Sequence, residues 1–407
     1  MCPRPIVALT LGISQTYRAV QTAPPRQAVT VTAAPHQIAE TDDHGYLVVR
    51  THDLFDNRYL AEKPLGQGSF GRVILARTQG TTDEYVAIKI MKSGALFHQK
   101  GEEEAEILRM VTAADPELGC RFISSFLHGD HFCIAMEVRG SNLYHILKAT
   151  KMRGFPLQTI RIWAWKLLKS FIRLKQDDLR LIHTDCKPEN ILVPFRDTNL
   201  EDLRIADFGS AVVQNKGRMY SYVQSRYYRS PEVLFGQPYS FPIDAWSVGT
   251  ILFEMHTGKV LFKAGSSNLL CFMFVDVLGF PPRSMVFQND ALTAPAKRFF
   301  VPRAEASLEL VEQNKEAFPH WALPETYVFQ RQILELGEAN RSRLHRQPLA
   351  ELIRNSTMDG QEGHSDEDYD RFAELLTGLL QYDPQVRWSV ERAFESSFVQ
   401  NTSRSPV

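Results

Sequence analysis

The sequence predicts an α+β protein in which a small β-rich half precedes a larger, mostly helical half. Short runs of β-forming residues dominate from about Tyr46 to Val138, and long apolar patterns with helical spacing follow Gly140. The chain of 407 residues is long enough for two domains, or for one large domain with two lobes and a tail. Together these observations favour two lobes of unequal size and different secondary structure.

The composition excludes several classes of protein. A net charge of -1 gives no overall field that would recruit nucleic acid or an anionic membrane. Five scattered cysteines without C-x-x-C spacing argue against a disulfide framework and a zinc site. No apolar run is long enough to span a bilayer, and the N-terminal segment PIVALTLGI lacks the features of a signal peptide. We expect a monomeric intracellular protein, cytoplasmic or nuclear, that binds neither nucleic acid nor membrane.

The β-rich half begins after a segment unsuited to regular structure. Residues 1–41 are rich in Ala, Pro, Thr and Gln, a composition that predicts a disordered tail. Between 42 and 139 we expect a leader and the β-rich lobe. Its candidate strands are, in chain order, YLVVR (46–50), RVILAR (72–77), EYVAIKIM (84–91) and HFCIAMEV (131–138), with one helix-like segment, EEEAEILRMV (102–111).

The helical half, residues 140–400, contains two distinctive patterns. QTIRIWAWKLLKSFIRLK (158–175) has apolar residues at helical spacing, whereas IDAWSVGTILFEMHTG (243–258) is apolar almost all round. The second pattern predicts a helix buried in a core and ending at Gly258. Residues 283–368 predict an irregular insertion that ends in an acidic stretch, and 401–407 a C-terminal tail.

A glycine-rich stretch, LGQGSFGRV, indicates a phosphate-binding loop. Its G-x-G-x-x-G-x-V spacing lets backbone N–H groups approach phosphates without an intervening Cβ. Dinucleotide-binding loops share the glycines but open a helix, whereas RVILAR continues as a strand. The candidate nucleotide-binding residues here are Leu65, Gly66, Gln67, Gly68, Ser69, Phe70, Gly71 and Val73.

A lysine and its carboxylate partner follow the glycine loop. In the VAIK strand, Ala87 and Lys89 share one face, which suits an adenine ring and its phosphates. A surface lysine on an edge strand is the commoner interpretation of Lys89 taken alone. The helix EEEAEILRM offers the carboxylate: Glu104 lies one turn before Ile107 and Leu108 on the same side and is our choice, with Glu103 as the alternative.

The segment HTDCKPEN predicts the catalytic groups of phosphoryl transfer. Asp185 would accept or orient the proton of an incoming hydroxyl, Lys187 would neutralise the transferring group, and Asn190 would bind a divalent ion. The later DFG supplies Asp207, whose carboxylate can bridge Mg²⁺ to ATP phosphates. Together with SPE (230–232), these elements form the ordered protein-kinase signature.

The sequence resembles the eukaryotic protein kinases, and within their CMGC group the dual-specificity tyrosine-regulated kinases, the DYRK family. Three stretches carry the resemblance: SNLYHILKATKMRGFPL, MYSYVQSRYYRSPEVLFGQPYSFPIDAWSVG and EMHTGKVLF. It covers about 42–285 and resumes at LLQYDPQVRWSV. The resemblance implies a bilobal kinase fold, ATP and Mg²⁺ as cofactors, and protein substrates. In that family the position of Thr184 holds Cys in place of the usual Arg, so we expect the transfer chemistry to survive.

The resemblance also implies how adenine binds. Leu65, Val73 and Ala87 would contact the ring from one side and Leu192 from the other. Met136 would be the gatekeeper, and backbone groups of Glu137 and Arg139 would hydrogen-bond the ring. Arg139 stands where the family has an apolar hinge residue, so we expect it to alter this rim. Plain core packing is the simpler interpretation of Met136 and Leu192.

Regulation and substrate preference follow from the same resemblance. Tyr222, the second tyrosine of YSY, occupies the position of the family's regulatory phosphotyrosine. Arg226 and Arg229 are the candidate cations for a phosphate on it. Arg226 also matches the arginine that lets CMGC kinases accept Pro after the phosphorylated Ser or Thr.

We therefore expect an ATP-dependent Ser/Thr kinase of dual-specificity type that autophosphorylates on tyrosine. Two alternatives remain: a pseudokinase scaffold that binds partners without catalysis, and a homeodomain-interacting-type kinase, which shares QSRYYR. The intact Lys89, Asp185, Asn190 and Asp207 argue against the first, and EMHTG against the second.

Overall fold

The computed structural model describes residues 40–194, 202–214, 222–355 and 364–400. The predicted tails lie outside these ranges, except for Glu40 and Thr41. The chain divides into two compact units. Unit one takes in the described residues of Met1–Ile146, Asp177–Leu179 and Glu189–Ala211. Unit two takes in those of Leu147–Gln176, Arg180–Pro188 and Val212–Val407.

Unit one is built on a six-stranded antiparallel sheet with strand order β1-β2-β3-β4-β6-β5. The strands are β1 (Leu54–Phe55), β2 (Tyr59–Gln67), β3 (Gly71–Thr78), β4 (Tyr85–Met91), β5 (Phe122–His128) and β6 (His131–Glu137). Helix α1 (Ala95–Ala114) packs against β6, and the unit ends with a two-stranded ribbon of β8 (Ile191–Leu192) and β9 (Arg204–Ile205). One face of the sheet forms the core, with Ile74, Ile88 and Ala135 almost completely buried.

The register of the sheet places the predicted nucleotide residues on neighbouring strands. Val73 in β3 pairs with Lys89 in β4, and Ala87 pairs with Met136 in β6. Along β4, Val86, Ile88 and Ile90 turn into the core, which leaves Lys89 on the opposite face, as the two-residue period of a strand requires.

The strand predictions in unit one need correction. YLVVR is not a strand, because within it only Leu47 forms a bridge, to Thr41, across a tight turn. In contrast, β2 and β5 form although the sequence analysis predicted neither. In FISSFLH, the sequence of β5, the serines interrupt the apolar run. The predicted lobe boundary after residue 139 also differs from the units. Gly140 donates to the Val193 carbonyl at 2.8 Å, which keeps this segment in unit one.

Unit two is mostly helical. Its helices are α3 (Leu157–Lys175), α4 (Pro231–Leu234), α5 (Pro242–Thr257), α6 (Ser267–Leu278), α7 (Arg283–Val286), α8 (Leu308–Ala317), α9 (Arg331–Ala339), α10 (Leu349–Asn355), α11 (Asp366–Leu379), α12 (Val390–Phe394) and α13 (Ser397–Gln400). Helix α2 (Leu143–Ala149) contains the boundary between the units. A short ribbon joins β7 (Leu181–Ile182) to β10 (Val212–Val213).

Helix α5 is the predicted buried helix, and every residue from Ile243 to Thr257 is buried. Pro242 occupies its first turn, where a missing N–H costs nothing. Gly258 ends it in the left-handed conformation (φ 70°) and donates its N–H to the Glu254 carbonyl at 2.8 Å. The sequence therefore predicted both the burial and the end of this helix.

The prediction that residues 283–368 are irregular is wrong for the part of this range that the structure describes. Besides α7–α10 and the start of α11, it contains two ribbons, β11 (Phe287–Gln288) with β12 (Ala291–Leu292) and β13 (Phe300–Pro302) with β14 (Tyr327–Phe329). A cluster of aromatic rings lies here, with Phe300 4.7 Å from Phe329 and 4.8 Å from Tyr327 between ring centroids. The two ribbons are too short to show a hydrophobic period, whereas α8 and α9 are long enough for a helical pattern that the sequence analysis overlooked.

Four cysteines lie within the described residues, and all four are buried free thiols: Cys120, Cys133, Cys186 and Cys271. Burial raises the pKa of Cys120 to about 12 and that of Cys271 well above its usual range. In the same part of the chain, no helix combines the length and apolar composition needed to cross a membrane.

Candidate functional site

Lys89 is held by two carboxylates in unit one. Its Nζ lies 2.7 Å from both oxygens of Glu104 in α1 and 2.8 Å from Oδ1 of Asp207. The Glu104 side chain is 2% exposed, whereas that of Asp207 is 44% exposed. Burial alone would lower the pKa of Lys89, but the two carboxylates outweigh it and raise that pKa, so the ammonium stays charged. Glu103, the alternative partner, points to solvent.

The three glycines of the glycine loop, which includes the end of β2 and the start of β3, have different structural roles. A Cβ on Gly66 or Gly68 would meet no atom within 4 Å, so this end of the loop is open to an approaching ligand. A Cβ on Gly71 would lie 2.1 Å from the Ile90 carbonyl oxygen, so Gly71 is required by the close pairing of β3 with β4. Gln67, Ser69 and Phe70 between them are exposed.

The segment after β6, where the hinge is expected, is fixed by Arg139. Its guanidinium is almost completely buried and lies 3.1 Å from the Glu137 carboxylate and 3.0 Å from that of Asp202. It also donates to the Asp202 carbonyl at 2.6 Å. The expectation that Arg139 alters a rim therefore needs refinement, because its side chain ties this segment to the residues before β9. Nearby, Leu192 bridges to Asn142.

Asn190 and Asp207 supply oxygen donors on adjoining segments of unit one. The Asn190 carbonyl accepts the Ala206 N–H at 2.8 Å, beside the pairing of β8 with β9. Asp207 has a left-handed backbone, φ 63°. A Cβ on Gly209 would lie 2.9 Å from Oε2 of Glu104, so any side chain there would displace this carboxylate. A carboxylate and an amide oxygen are the hard ligands that suit Mg²⁺, so this pair fits the ion that the sequence predicts.

The predicted catalytic loop lies in unit two, where Asp185 is bound from two sides. Lys187 Nζ lies 2.6 Å from its Oδ2, and the Ser225 hydroxyl and N–H donate to its Oδ1 at 2.7 and 3.1 Å. Lys187 also lies 3.2 Å from the Ser225 hydroxyl oxygen. The carboxylate and ammonium are each about one-fifth exposed, so both remain accessible to a substrate group.

Asp244 in helix α5 anchors the backbone of this loop. Its carboxylate accepts the N–H groups of His183 at 2.7 Å and Thr184 at 3.0 Å. Burial raises the pKa of Asp244 to about 6, and the His183 ring and both N–H groups act against that rise. Thr184 is held with φ 65°, a left-handed conformation that is unusual for a β-branched residue, so the anchor maintains a strained turn.

Tyr222 lies beside both predicted arginines. The Arg229 guanidinium is 4.0 Å from the centre of its ring, and Arg229, followed by Arg226, lowers the pKa of its phenol. The Tyr222 side chain is well exposed, whereas Arg229 is buried and donates to the Val223 and Gln224 carbonyls. Arg226 donates to the Gly265 carbonyl at 2.8 Å. The arginines therefore already have backbone partners beside an accessible hydroxyl.

Comparison with known proteins identifies the family. The model of the protein kinase domain matches residues 59–399, which is most of the chain. The chain belongs to the protein kinase domain family. The matched range contains the glycine loop, Lys89, Asp185 and Asp207, and it spans both units.

A curated relative extends this result. This chain is 30% identical, over 417 aligned residues, to a protein of Dictyostelium discoideum named as the probable serine/threonine-protein kinase yakA. The alignment covers 97% of this chain and 28% of the relative. The chain thus spans little more than a quarter of the length of the relative it matches.

Sequence reasoning missed three residues of the kinase site: Ser225, which binds Asp185; Asp244, which anchors the loop; and Gly209, which admits Glu104. Only Asp244 gave a usable signal, because a carboxylate within a largely apolar, buried helix needs a polar partner. Ser225 looked like an ordinary loop serine, and Gly209 was noted only as part of DFG.

Proposed function

We propose that this protein is an ATP-dependent protein kinase that phosphorylates serine and threonine. The observation that carries the proposal is the contact of Lys89 with the buried Glu104 and the half-exposed Asp207 at 2.7 to 2.8 Å. A buried ammonium beside a glycine loop suits the phosphates of ATP, and its two carboxylates keep it charged and in place.

The residues of the two units take separate parts in the proposed reaction. In unit one the glycine loop and Lys89 bind the phosphates, Ala87 and Met136 contact adenine, and Asp207 and Asn190 hold Mg²⁺. The ion, when bound, neutralises charge that develops on the phosphoryl group. In unit two Asp185 accepts or orients the proton of the substrate hydroxyl, while Lys187 offers a positive charge to the transferring group.

The finer specificity belongs to the same proposal. We assign the protein to the DYRK family of the CMGC group, with Pro preferred after the acceptor and Tyr222 phosphorylated by the kinase itself. The exposure of Tyr222 and its position 4.0 Å from Arg229 support a regulatory phosphate there. Protein substrates, a monomeric state and an intracellular location remain proposals with it.

The deciding experiment measures transfer of phosphate from Mg·ATP to peptides with Arg before and Pro after Ser or Thr. Wild type should phosphorylate them, whereas Lys89→Met and Asp207→Asn should show no more than a few per cent of that activity, because each removes charge from the phosphate site. Unchanged melting curves would show that both variants fold. A wild-type chain that transfers no phosphate would instead support the pseudokinase scaffold.

Tyrosine autophosphorylation is tested separately. Mass spectrometry of bacterially expressed protein should find phosphate on Tyr222 in wild type and none in Lys89→Met. Phosphate on Tyr222 of the Lys89→Met variant, or none on it in an active wild type, would refute the autophosphorylation. Tyr222→Phe should lower the activity without changing the melting temperature.

A further inference from the structure

The leader that precedes the sheet forms a tight turn beside the glycine loop. Thr41 bridges to Leu47, and the Asp42 carboxylate accepts the N–H groups of His44 at 3.0 Å and Tyr46 at 2.9 Å. Gly45 has φ 84°, which the turn requires and a side chain would oppose. Leu47 is buried in the core of unit one, so the turn is fixed to the sheet at its end.

Two further contacts fasten this turn to the strands that flank the loop. The Gly45 carbonyl accepts the Ser93 N–H at 2.9 Å, just beyond β4. Arg72, the second residue of β3, lies 3.4 Å from the Asp42 carboxylate. The turn is therefore held on both sides of Tyr46, and it presents that side chain in a defined place.

The ring of Tyr46 lies among cations, and its hydroxyl reaches the loop. Lys92 Nζ is 4.3 Å and the Arg72 guanidinium carbon 5.2 Å from the ring centre, distances at which cations are attracted to an aromatic face. The hydroxyl donates to the Gly68 carbonyl at 2.8 Å. The Gly68 N–H in turn donates to the Gly71 carbonyl at 2.9 Å, so Gly68 is bonded through both of its backbone groups.

The loop depends on such contacts because it has little packing of its own. Residues 63–70 are all exposed, and a Cβ would meet nothing at Gly66 or Gly68. Glycine also has more backbone conformations to lose when a ligand fixes the loop. A contact that restricts the loop before the ligand arrives reduces this entropic cost and strengthens binding.

We propose that Tyr46 is a positioning residue for the glycine loop, holding Gly68 through its hydroxyl in the conformation that binds nucleotide phosphates. This inference rests on the proposed function and assigns a part in nucleotide binding to a leader that lies before residue 59, where the match to the kinase domain begins.

The test compares Tyr46→Phe with wild type in the full-length chain. Phenylalanine keeps the ring between its cations and removes only the hydroxyl. In the nucleotide-free protein, amide hydrogen exchange at residues 66–71 should become faster. The Kd for Mg·ADP, measured by calorimetry, and the KM for ATP should rise about three- to tenfold, the factor expected for one hydrogen bond. The KM for the peptide and the melting temperature should not change.

Two further variants complete the design. Tyr144→Phe removes a hydroxyl from another partly buried tyrosine of unit one and should leave loop exchange and nucleotide affinity as in wild type. Asp42→Ala loosens the turn that presents Tyr46 and should act in the same direction as Tyr46→Phe.

The outcomes separate the two proposals. If wild type binds Mg·ADP normally, unchanged loop exchange or unchanged nucleotide affinity in Tyr46→Phe overturns the positioning role alone. If wild type binds no Mg·ADP, the proposed kinase function fails, and the nucleotide role of Tyr46 fails with it.

Discussion

At the scale of single residues, Lys89 forms ion pairs with two carboxylates, of which one is buried and the other half-exposed. Replacing Glu104 by Gln keeps the size of the side chain and removes its charge. Lys89 should then bind Asp207 more tightly and compete with the metal for that carboxylate. We expect kcat/KM for peptide phosphorylation to fall at least tenfold, measured at saturating Mg²⁺.

Glu103→Gln is the matched control, because Glu103 is the adjacent glutamate and faces solvent. It should retain the wild-type kcat/KM. Equal losses in the two variants would mean that the charge of Glu104 has no special part in the reaction.

His256 gives a prediction about pH. Burial lowers its pKa to about 4, although its ring nitrogen Nδ1 lies 3.0 Å from the Phe155 carbonyl oxygen, a contact that acts in the opposite direction. In the unfolded chain the pKa is about 6.5, so between about pH 6.5 and 4 the unfolded state binds a proton that the folded state does not. This histidine therefore contributes stability above pH 6.5 that is lost as the pH falls toward 4.

At pH 5 the loss from His256 should be about 2 kcal/mol. In wild type, the free energy of unfolding measured with urea should be lower at pH 5 than at pH 7. In His256→Asn this decrease should be smaller by about the same 2 kcal/mol. Asp244 titrates in both proteins, so its contribution cancels in the comparison. The same drop in both would contradict the assignment.

Residue roles could be predicted from the sequence only where the partner lay on a recognisable helix face or where the residue belonged to a series of motifs in a fixed order. Glu104 could be chosen because helical spacing decides which glutamate of a run faces inward. Ser225 and Asp244 could not, since they bind Asp185 and Thr184 across 40 and 60 positions of sequence. The sequence around such residues does not identify the distant partner that tertiary folding brings to them.

At the scale of elements, the position of Glu104 depends on how closely α1 approaches the sheet. Gly101, one turn before Glu104, faces Phe132 of β6, and a Cβ there would lie 2.6 Å from that ring and 2.9 Å from Met91. We expect Gly101→Ala to lower the free energy of unfolding by about 1–3 kcal/mol despite the better helix propensity of alanine.

The same substitution should reduce kinase activity, because it moves the helix that carries Glu104. Gly265→Ala is the control, since a Cβ at Gly265 meets nothing within 4 Å. It should change neither the unfolding midpoint in urea nor the activity. A fully stable and active Gly101→Ala would show that the helix position tolerates the added carbon.

The elements differ in how well the sequence predicts them. Helix α5 and strands β3, β4 and β6 were evident because their apolar patterns are long and continuous. Strand β5 was missed, since its paired serines resemble a loop and its place in the sheet comes from pairing with β6. The ribbons of 287–329 were missed because strands of two or three residues carry no period.

At the scale of the whole molecule, unit one is assembled from separated parts of the chain. Its sheet is complete by Glu137, but Asn190 and Asp207 come from the later segment Glu189–Ala211. The two parts meet where Gly119 bridges to Ile205 and the Cys120 N–H donates to the Ile205 carbonyl at 3.2 Å. Unit one therefore cannot be complete until this segment has joined it, which adds non-local contacts that slow folding.

The four buried thiols of the described residues should be inert toward cysteine reagents in the folded protein, since the reactive thiolate is suppressed and shielded from solvent. Cys120 and Cys133 belong to unit one, and Cys186 and Cys271 to unit two. In a Cys2→Ser background, alkylation followed by peptide mapping should find each pair unreactive in native buffer and reactive in urea. Rapid alkylation of any of the four in native buffer would contradict their burial. The labelling rates would then report how fast each unit opens, so the native cysteines serve as built-in probes of local unfolding.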